Sequence, residues 1–441
     1  MLERIFHLKE KGVSTKVEIF GGLTTFLTMA YIIFVNPAVL STDFAGNATG
    51  LSFDAALVGT CLAAAVATFI MGVYANFPIA QAPGMGENFF FVTVVMALGA
   101  RGITNSWQVA LGIVFISGII FLLLSLLKFR KAIIDAISPS MKNGIAVGIG
   151  FFIAFIGLRN GGIIIKSPGT AVAFNSHLLQ ANVLIFLFGL LLTAVLHTRK
   201  VRGAILWGIV ATTVISLAVG KVHFEGVFGL PHDHAFFKMD IIGALKFSLV
   251  PFIVIFLFMD LFDTVGTIVG VSEQAGLIKD NTIPGGNRAL VSDAVGTVIG
   301  SFSGTSTVTS YIESAVGVEY GARTGLSSVV VAVLFLFALF INPLVGMIGK
   351  YAPITAPALV IVGSLMMRNV RKIEWDDFSE AIPAFLIMIG IPMSYSIADG
   401  MAMGFIAYPV IKIFSGKSRE VHWLIYAVAV LFILRYTLFS V

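Results

Sequence analysis

The chain has 441 residues, of which 58% are hydrophobic and only 12% are charged, and its mean hydropathy is +0.98. A soluble domain carries about 25% charged residues, so this excess of apolar side chains requires a hydrocarbon solvent and excludes a soluble protein. The net charge of +5 comes from short basic clusters scattered between apolar runs, which does not indicate nucleic-acid binding. The single cysteine, Cys61, excludes an internal disulfide and a multi-cysteine metal site.

The apolar residues form a series of runs that match membrane-spanning helices, each of which needs about 20 residues. Residues 1–16 mix charges with apolar side chains and have no small-residue cleavage site, so we expect an interfacial segment and not a removable signal peptide. Fourteen membrane segments follow: 17–39, 55–75, 79–99, 107–127, 139–158, 181–198, 203–220, 241–270, 289–302, 305–321, 325–348, 353–369, 381–396 and 398–414. The C-terminal apolar segment, 415–441, contains a run at 421–440 that either crosses the membrane or lies in its interface.

The distribution of basic residues predicts the orientation of these segments. With a cytoplasmic N-terminus and one crossing per segment, twenty lysine and arginine residues lie on the cytoplasmic side and seven on the far side. This bias is the one that the positive-inside rule expects. The sequence therefore predicts a multi-pass protein of the plasma (inner) membrane with its N-terminus in the cytoplasm.

The segments divide into two halves of seven. The most polar connection, an external linker at 221–240, separates a first repeat at 17–220 from a second repeat at 241–414. Because seven is odd, a duplicated half is inverted in the membrane, and inverted repeats are typical of secondary transporters. The predicted fold is therefore all-α, with two inverted seven-segment repeats.

The third and tenth segments are poor continuous helices. The third begins with Pro83, Gly84 and Gly86, which disfavour helix, so we expect an extended piece and then a half-helix starting near Gly86. In the tenth, seven of the ten residues at 301–310 carry hydroxyl groups that compete for backbone hydrogen bonds. Broken segments at matching positions of two repeats indicate a transporter's binding site. The alternative is a pair of loops at the membrane surface.

Carboxyl groups cluster in these segments. Asp260 and Asp263 lie at i, i+3 spacing on one face of the eighth segment, and Thr264 continues that face, while Glu87 and Glu313 lie at the two breaks. A carboxyl group inside a membrane costs free energy and therefore indicates a functional site.

Other side chains either add to the predicted site or offer a different explanation of its acidic residues. Asn88 supplies both a hydrogen-bond donor and an acceptor. Some of the acids can instead pair with Arg288 or Arg323, or cap a broken helix. Asp293, near the start of the ninth segment, is equally well explained as a helix-end residue.

Dispersed motifs resemble those of a known family. They are residues 21–32 (GGLTTFLTMAYI), 81–88 (QAPGMGEN), 260–267 (DLFDTVGT), 304–307 (GTST) and 311–314 (YIES). In this order they resemble the AzgA-like branch of the nucleobase:cation symporter family. The resemblance runs from about residue 12 to residue 435.

The resemblance implies a core domain (17–127 and 241–348) and a gate domain (139–220 and 353–414) that alternate in an elevator-like manner. It implies import of adenine, guanine or hypoxanthine by proton symport, with no other cofactor, no metal and no enzymatic activity, in a lipid-embedded protein that can form a homodimer. Asp260 and Glu313 would hydrogen-bond the purine, together with Gly86 and Asn88. Glu87 and Thr264 would line the same site, and Asp263, Asp260 and Glu313 would serve proton coupling.

The chemistry of a purine suits such a set of groups. A purine presents N–H donors and ring acceptors on a flat apolar body, which carboxylates and an amide can match, and Phe89, Phe90 or Phe262 are candidates to stack on its face. A carboxyl group in a low-dielectric site can bind a proton outside and release it inside. Two other functions remain open: an anion or xanthine/pyrimidine transporter of the same fold, and, more remotely, an intramembrane aspartyl protease, whose Gly-x-Gly-Asp motif residues 84–87 partly match.

Overall fold

The computed structural model describes residues 2–126, 137–277 and 283–438. The helices and strands of this part of the chain are α1 (Leu2–Phe6), α2 (Thr15–Met29), α3 (Ile32–Ser41), α4 (Phe53–Ile70), β1 (Gln81–Pro83), α5 (Met85–Ala100), α6 (Ser106–Leu126), α7 (Pro139–Asn160), β2 (Ile164–Ser167), β3 (Ala171–Phe174), α8 (Ala181–Thr198), α9 (Ala204–Ala218), α10 (Ile241–Ala244), α11 (Val250–Gln274), α12 (Gly286–Ser303), β4 (Val308–Ser310), α13 (Ser314–Tyr320), α14 (Gly325–Ala338), α15 (Asn342–Gly349), α16 (Ala352–Met366), α17 (Phe378–Ser394), α18 (Ile397–Phe414) and α19 (Trp423–Leu438).

The predicted membrane segments coincide with these helices, and the predicted all-α membrane fold is confirmed. Within the described ranges, eight helical stretches are long and apolar enough to span a membrane, with α2 and α3 taken together as Thr15–Ser41 and α16 extended to Lys372, and five shorter apolar helices have 10–17 residues. Three segments predicted as continuous are interrupted: α2 and α3 divide the first, α10 and α11 the eighth, and α14 and α15 the eleventh. The predicted ends at 127 and 440, and the basic residues Lys128, Arg130, Lys131 and Lys279, lie outside the described residues.

The helices pack as two groups. In the first helix group (α2–α6 and α11–α15), α12 packs between α4 and α6, and α14 packs on α2 and α4. In the second helix group (α7–α9 and α16–α19), α7 packs on α16 and α17, and α17 packs on α18. Fewer contacts join the groups, among them those of α5 with α7 and with α18. Each group contains segments from both halves of the sequence, as two inverted, intertwined repeats require.

The outer surface remains strongly apolar. Large side chains such as Leu126, Leu191, Phe337 and Phe414 are exposed on the helices. Exposed apolar surface on this scale is unfavourable in water, whereas lipid chains cover it without cost. The polar residues are instead concentrated inside the first helix group, where the two broken segments meet.

Candidate functional site

The break in the third segment is built by Pro83 and Gly84. Strand β1 ends at Pro83, Gly84 caps the half-helix in an extended conformation, and α5 begins at Met85, one residue before the predicted start. The free N–H groups and positive dipole end of α5 therefore lie inside the protein. The Glu87 carboxyl folds back beside Gly84, so this acid lies at the helix N-terminus, as the capping alternative expects.

The break in the tenth segment starts at Gly304. This residue ends α12 with φ = +99°, a conformation that favours glycine, and a side chain there would collide with Ala235. The chain then extends through β4, and helix resumes at Ser314, directly after Glu313. The hydroxyl-rich run is therefore not continuous helix, as predicted.

The two breaks pair with each other as a short antiparallel ribbon. Gln81 lies opposite Ser310, and Pro83 lies opposite Val308. Two further backbone bonds extend the ribbon: the Gly84 N–H donates to the Thr307 carbonyl at 3.0 Å, and the Tyr311 N–H donates to the Ala80 carbonyl at 2.9 Å. The pairing satisfies backbone groups that a broken helix would leave without partners in the membrane.

Helix α11 lies against this ribbon with the face that its i, i+3 spacing predicts. Thr297 of α12 donates a hydrogen bond to Asp260 Oδ2 at 2.7 Å, and Thr309 of β4 donates to Asp263 Oδ2 at 3.3 Å. The Ser310 N–H approaches Thr264 Oγ1 at 3.5 Å. Three of the predicted site residues are therefore held against the second break.

The first half-helix contributes Gly86 and Asn88. Asn88 is fully buried and accepts a hydrogen bond from the Ser306 hydroxyl, which connects α5 directly to the second break. Gly86 faces α7, because a Cβ atom added to it would lie 3.0 Å from Ile149 Cγ2. The absence of a side chain at Gly86 thus allows the second helix group to approach the half-helix closely.

Glu313 lies on the accessible side of the site. Its Oε1 accepts a hydrogen bond from the Tyr31 hydroxyl at 2.9 Å, at the joint between α2 and α3. Glu313 is half-buried and Asp263 is exposed, whereas Asp260 and Glu87 are buried. The accessible members of this group of acids are therefore Asp263 and Glu313.

Asp293 belongs to this site, and its interpretation as a helix-end residue is wrong. It lies in the second turn of α12, fully buried, and its Oδ1 accepts hydrogen bonds from Gln81 Nε2 at 2.7 Å and Ser310 Oγ at 2.9 Å. Gln81 in turn accepts a bond from Ser292 at 3.1 Å. Asp293 and Gln81 thus fasten the ribbon to α12. No local sequence signal indicated this role, because Gln81 and Asp293 are far apart in the chain.

The alternative explanation, that some of these acids pair with Arg288 or Arg323, is not supported by the described contacts. Arg323 donates to the carbonyls of Val318 and Ala322, both at 2.7 Å, and Arg288 stacks over Tyr74. In the described part of the chain, the ion pairs include none of the acids at 87, 260, 263, 293 and 313. Nor does this part contain a group of three or more His, Cys, Asp or Glu side chains arranged to hold a metal ion.

The three phenylalanine rings that are candidates to stack on a purine lie in different surroundings. Phe90 is fully buried against Phe256, with ring centroids 4.5 Å apart. Phe89 packs with Phe152 of α7, at 6.0 Å. Phe262 is half-buried, with the Lys142 ammonium 5.3 Å from its ring centre. Phe262 is therefore the accessible ring of the three.

Two interrupted half-helices that face one acidic site, in a helical membrane protein of inverted repeats, define a secondary transporter and not an enzyme. Residues 16–403 match a family described as a permease family, and the chain belongs to it. The resemblance to AzgA-like nucleobase permeases is thereby confirmed by relatives that match almost end to end.

Three of these relatives illustrate the similarity. The chain is 50% identical to a putative permease of Methanocaldococcus jannaschii, covering 100% of this chain and 99% of that one. It is 42% identical to the guanine/hypoxanthine permease PbuO of Bacillus subtilis (98% and 99% covered) and 41% identical to the adenine permease AdeQ of Escherichia coli (98% and 96%).

Solved structures share the fold at low sequence identity. The transmembrane domain of the cyanobacterial bicarbonate transporter BicA superposes with a TM-score of 0.64 at 15% identity, covering 87% of this chain and 97% of that one. The transporter SLC26A9 gives a TM-score of 0.65 at 12% identity, covering 90% and 65%.

Proposed function

We propose that this protein imports purine nucleobases together with protons, by an elevator-like alternation of the two helix groups. Relatives at 41–43% identity over nearly the whole chain are named as adenine and guanine/hypoxanthine permeases, which supports a purine nucleobase as the substrate. The protein would then lie in the inner membrane with its N-terminus in the cytoplasm, and it would be able to form a homodimer.

One observation carries the proposal: the β1–β4 ribbon brings together polar side chains from three distant segments. Asn88 lies on the first half-helix, Asp260 on the crossing helix α11, and Glu313 at the start of the second half-helix, and each is linked to the same ribbon or its flanks. Their carboxylate and amide groups match the donors and acceptors along the edge of a purine.

The proposed roles follow the accessibility of each group. Glu313 and Asp260 accept purine N–H bonds, Asn88 and the backbone at Gly86 bind ring nitrogens or an exocyclic oxygen, and Glu87 and Thr264 complete the wall. Asp263, which is exposed beside Asp260, is the acid through which protons reach the site. Phe262 offers an accessible apolar face.

The elevator mechanism is supported by the packing of the two helix groups. We identify the first helix group with the core domain and the second with the gate domain. Contacts between them include aromatic rings and cation–π pairs, such as Lys142 over Phe262 and Arg435 over Phe252, and none of the ion pairs among the described residues joins the two groups. In the described residues these acids form no ion pair with a cation, and an acidic site of this kind disfavours an anionic substrate, so the charges do not support the anion-transporting alternative.

A competition experiment tests the proposal. Uptake of labelled hypoxanthine and of labelled adenine is measured in cells without their own purine permeases, with excess unlabelled adenine, guanine, hypoxanthine, xanthine, uracil or bicarbonate. We expect adenine, guanine or hypoxanthine to compete, and a protonophore to abolish accumulation. Competition by uracil or bicarbonate alone would contradict the purine assignment, and accumulation that resists the protonophore would contradict proton symport.

A further inference from the structure

Two buried carboxylate oxygens at the site lack a hydrogen-bond partner. Asp260 uses Oδ2 to accept from Thr297, and Asp293 uses Oδ1 to accept from Gln81 and Ser310. Asp260 Oδ1 and Asp293 Oδ2 have none, although both residues are fully buried. A buried polar atom without a partner is costly, so this pair of atoms requires an explanation.

The two residues are neighbours across the α11–α12 interface. Their carboxyl groups lie within hydrogen-bonding reach of each other, and each interacts with one or both of the threonines on this interface, Thr264 and Thr297. Carboxylate oxygens only accept hydrogen bonds, so two ionised groups would leave both free oxygens without a donor. Two adjacent carboxylates in a low-dielectric site also repel each other strongly, and one proton shared between them removes both problems.

Among the described residues, the elements around the pair supply further acids, and their cations are engaged elsewhere: Arg288 of α12 stacks over Tyr74, and Arg435 of α19 pairs with Asp399. From α5 the pair faces Glu87, and on its own helix Asp260 is followed one turn later by Asp263. Strands β1 and β4 and helix α6 contain no titratable side chain, and α4 contains only Asp54 in its first turn and the Cys61 thiol. Tyr311, after β4, donates its hydroxyl to the Pro83 carbonyl at 2.6 Å.

We propose that Asp260 and Asp293 hold one proton between them and that this pair carries the co-transported proton. This inference rests on the proposed function, and it assigns the co-transported proton to a specific pair of side chains. A proton arriving from water forms an O–H bond with one carboxylate oxygen, and this O–H group donates a hydrogen bond to the other carboxylate. On release that O–H bond breaks and the proton returns to water, with no change in oxidation state.

Asp293 is a proton-holding residue and not a substrate ligand. The side chains of Gln81 and Ser310 lie on the face of the ribbon that packs on α12, while Thr309 lies on the other face, towards Asp263. A purine near Glu313 and Asp263 can therefore reach Asp260 but not Asp293. Asp260 takes part in both the purine site and the proton pair, and this shared residue would link transport of the purine to transport of the proton.

Purified protein in liposomes separates coupling from binding. With an imposed gradient of about one pH unit, one co-transported proton lets wild-type protein concentrate purine up to about tenfold.

Asp293→Asn keeps the shape and the hydrogen bonds of the side chain but cannot take up a proton. We expect this variant to lose accumulation and purine-dependent proton uptake, while purine binding and part of the purine exchange between equal pH values are retained. Asp233→Asn, which removes an exposed carboxyl outside the site, is the matched control and should accumulate purine normally.

Each outcome decides the proposal. Purine-dependent proton uptake by Asp293→Asn at the wild-type stoichiometry would overturn it, and so would loss of both exchange and purine binding in a monodisperse variant, which would make Asp293 a structural residue. If Asp293→Asn does not fold, Asp293→Glu must retain coupled uptake with an altered pH profile, and an unaltered profile would overturn the proposal. Wild-type protein that transports purine without protons, or no purine at all, would instead contradict the proposed function.

Discussion

At the scale of single residues, the two proposed purine-binding acids differ in how they are held. Asp260 is buried and accepts a bond from Thr297, whereas Glu313 is half-buried and accepts a bond from Tyr31. Asp260 is therefore part of the interior of the first helix group, and Glu313 faces the side from which solvent reaches the site. Substitutions at the two positions should affect transport for different reasons.

Asp260→Asn and Glu313→Gln should each reduce purine uptake severely. Each variant loses a charged acceptor, and hydrogen bonds to charged groups contribute about 1.5–3 kcal/mol, which corresponds to about 10- to 150-fold in affinity. Uptake of labelled purine is the measurement, with membrane content checked on immunoblots and Glu225→Gln, an exposed acid in the linker, as the matched control. Normal uptake by either variant would remove that residue from the mechanism.

Tyr31→Phe should weaken purine binding without abolishing it. The substitution removes the hydroxyl that donates to Glu313 at 2.9 Å and leaves the carboxylate in place but less constrained. A net loss of about 0.5–1.5 kcal/mol predicts a rise in KM of about 2- to 12-fold. Tyr351→Phe, which removes a tyrosine hydroxyl bound to Asn182 at 2.7 Å in the second helix group, is the control. A KM equal to the wild-type value would show that Tyr31 does not position Glu313.

The sequence identified the residues of the site only in part. Asp260 and Asp263 were predictable because helical spacing places two acids on one face of an apolar segment. Asp293 was not, because it lies near an apparent helix start and close to Arg288, where an acid needs no special explanation. Its contacts with Gln81 and Ser310 join residues more than 200 and 17 positions apart along the chain, and no local pattern encodes such contacts.

At the scale of elements, both helix breaks follow from local chemistry, but their pairing does not. Proline and glycine at 83–84, and the hydroxyl-rich run at 301–310, are incompatible with good helix. The three-residue strands β1 and β4 are too short to be recognised by alternation, and their register depends on how α11 and α12 pack around them. The sequence thus predicts where the helices break, and the tertiary packing determines what the broken pieces do.

Lys412→Met should destabilise the end of α18. The Lys412 side chain is 1% exposed, and its Nζ lies 2.8 Å from Glu380 and 2.7 Å from Glu420, which connects α17, α18 and the turn before α19. Removing one partner of a buried ion pair costs about 3–5 kcal/mol because the remaining charge stays buried. We expect a lower thermal midpoint in detergent, partly restored by the double variant Lys412→Met/Glu380→Gln. An unchanged midpoint would show that the network does not contribute to stability.

At the scale of the whole molecule, aromatic rings join the two helix groups beside the first half-helix. Phe44 and Phe89 of the first group pack on Phe152 and Tyr395 of the second, with Phe44 and Tyr395 ring centroids 6.1 Å apart. A cavity of about 780 Å³ lies next to these rings and is lined by both Phe44 and Arg159. An elevator motion must separate this contact.

Linking the two groups should therefore stop transport. We expect the double variant Phe44→Cys/Tyr395→Cys to lose uptake when it is treated with a short thiol crosslinker and to recover after the link is cleaved. The native Cys61 is fully buried and need not be replaced. The two single-cysteine variants are the controls. Full uptake by a quantitatively crosslinked protein would contradict movement of one group against the other.

A cryo-electron microscopy structure of the purified protein with a bound purine would test the shared site directly. We predict purine density between the two half-helix ends, within hydrogen-bonding distance of Glu313 and of Asp260 or Asn88. Purine density elsewhere, or continuous helices in place of the paired breaks, would contradict this prediction.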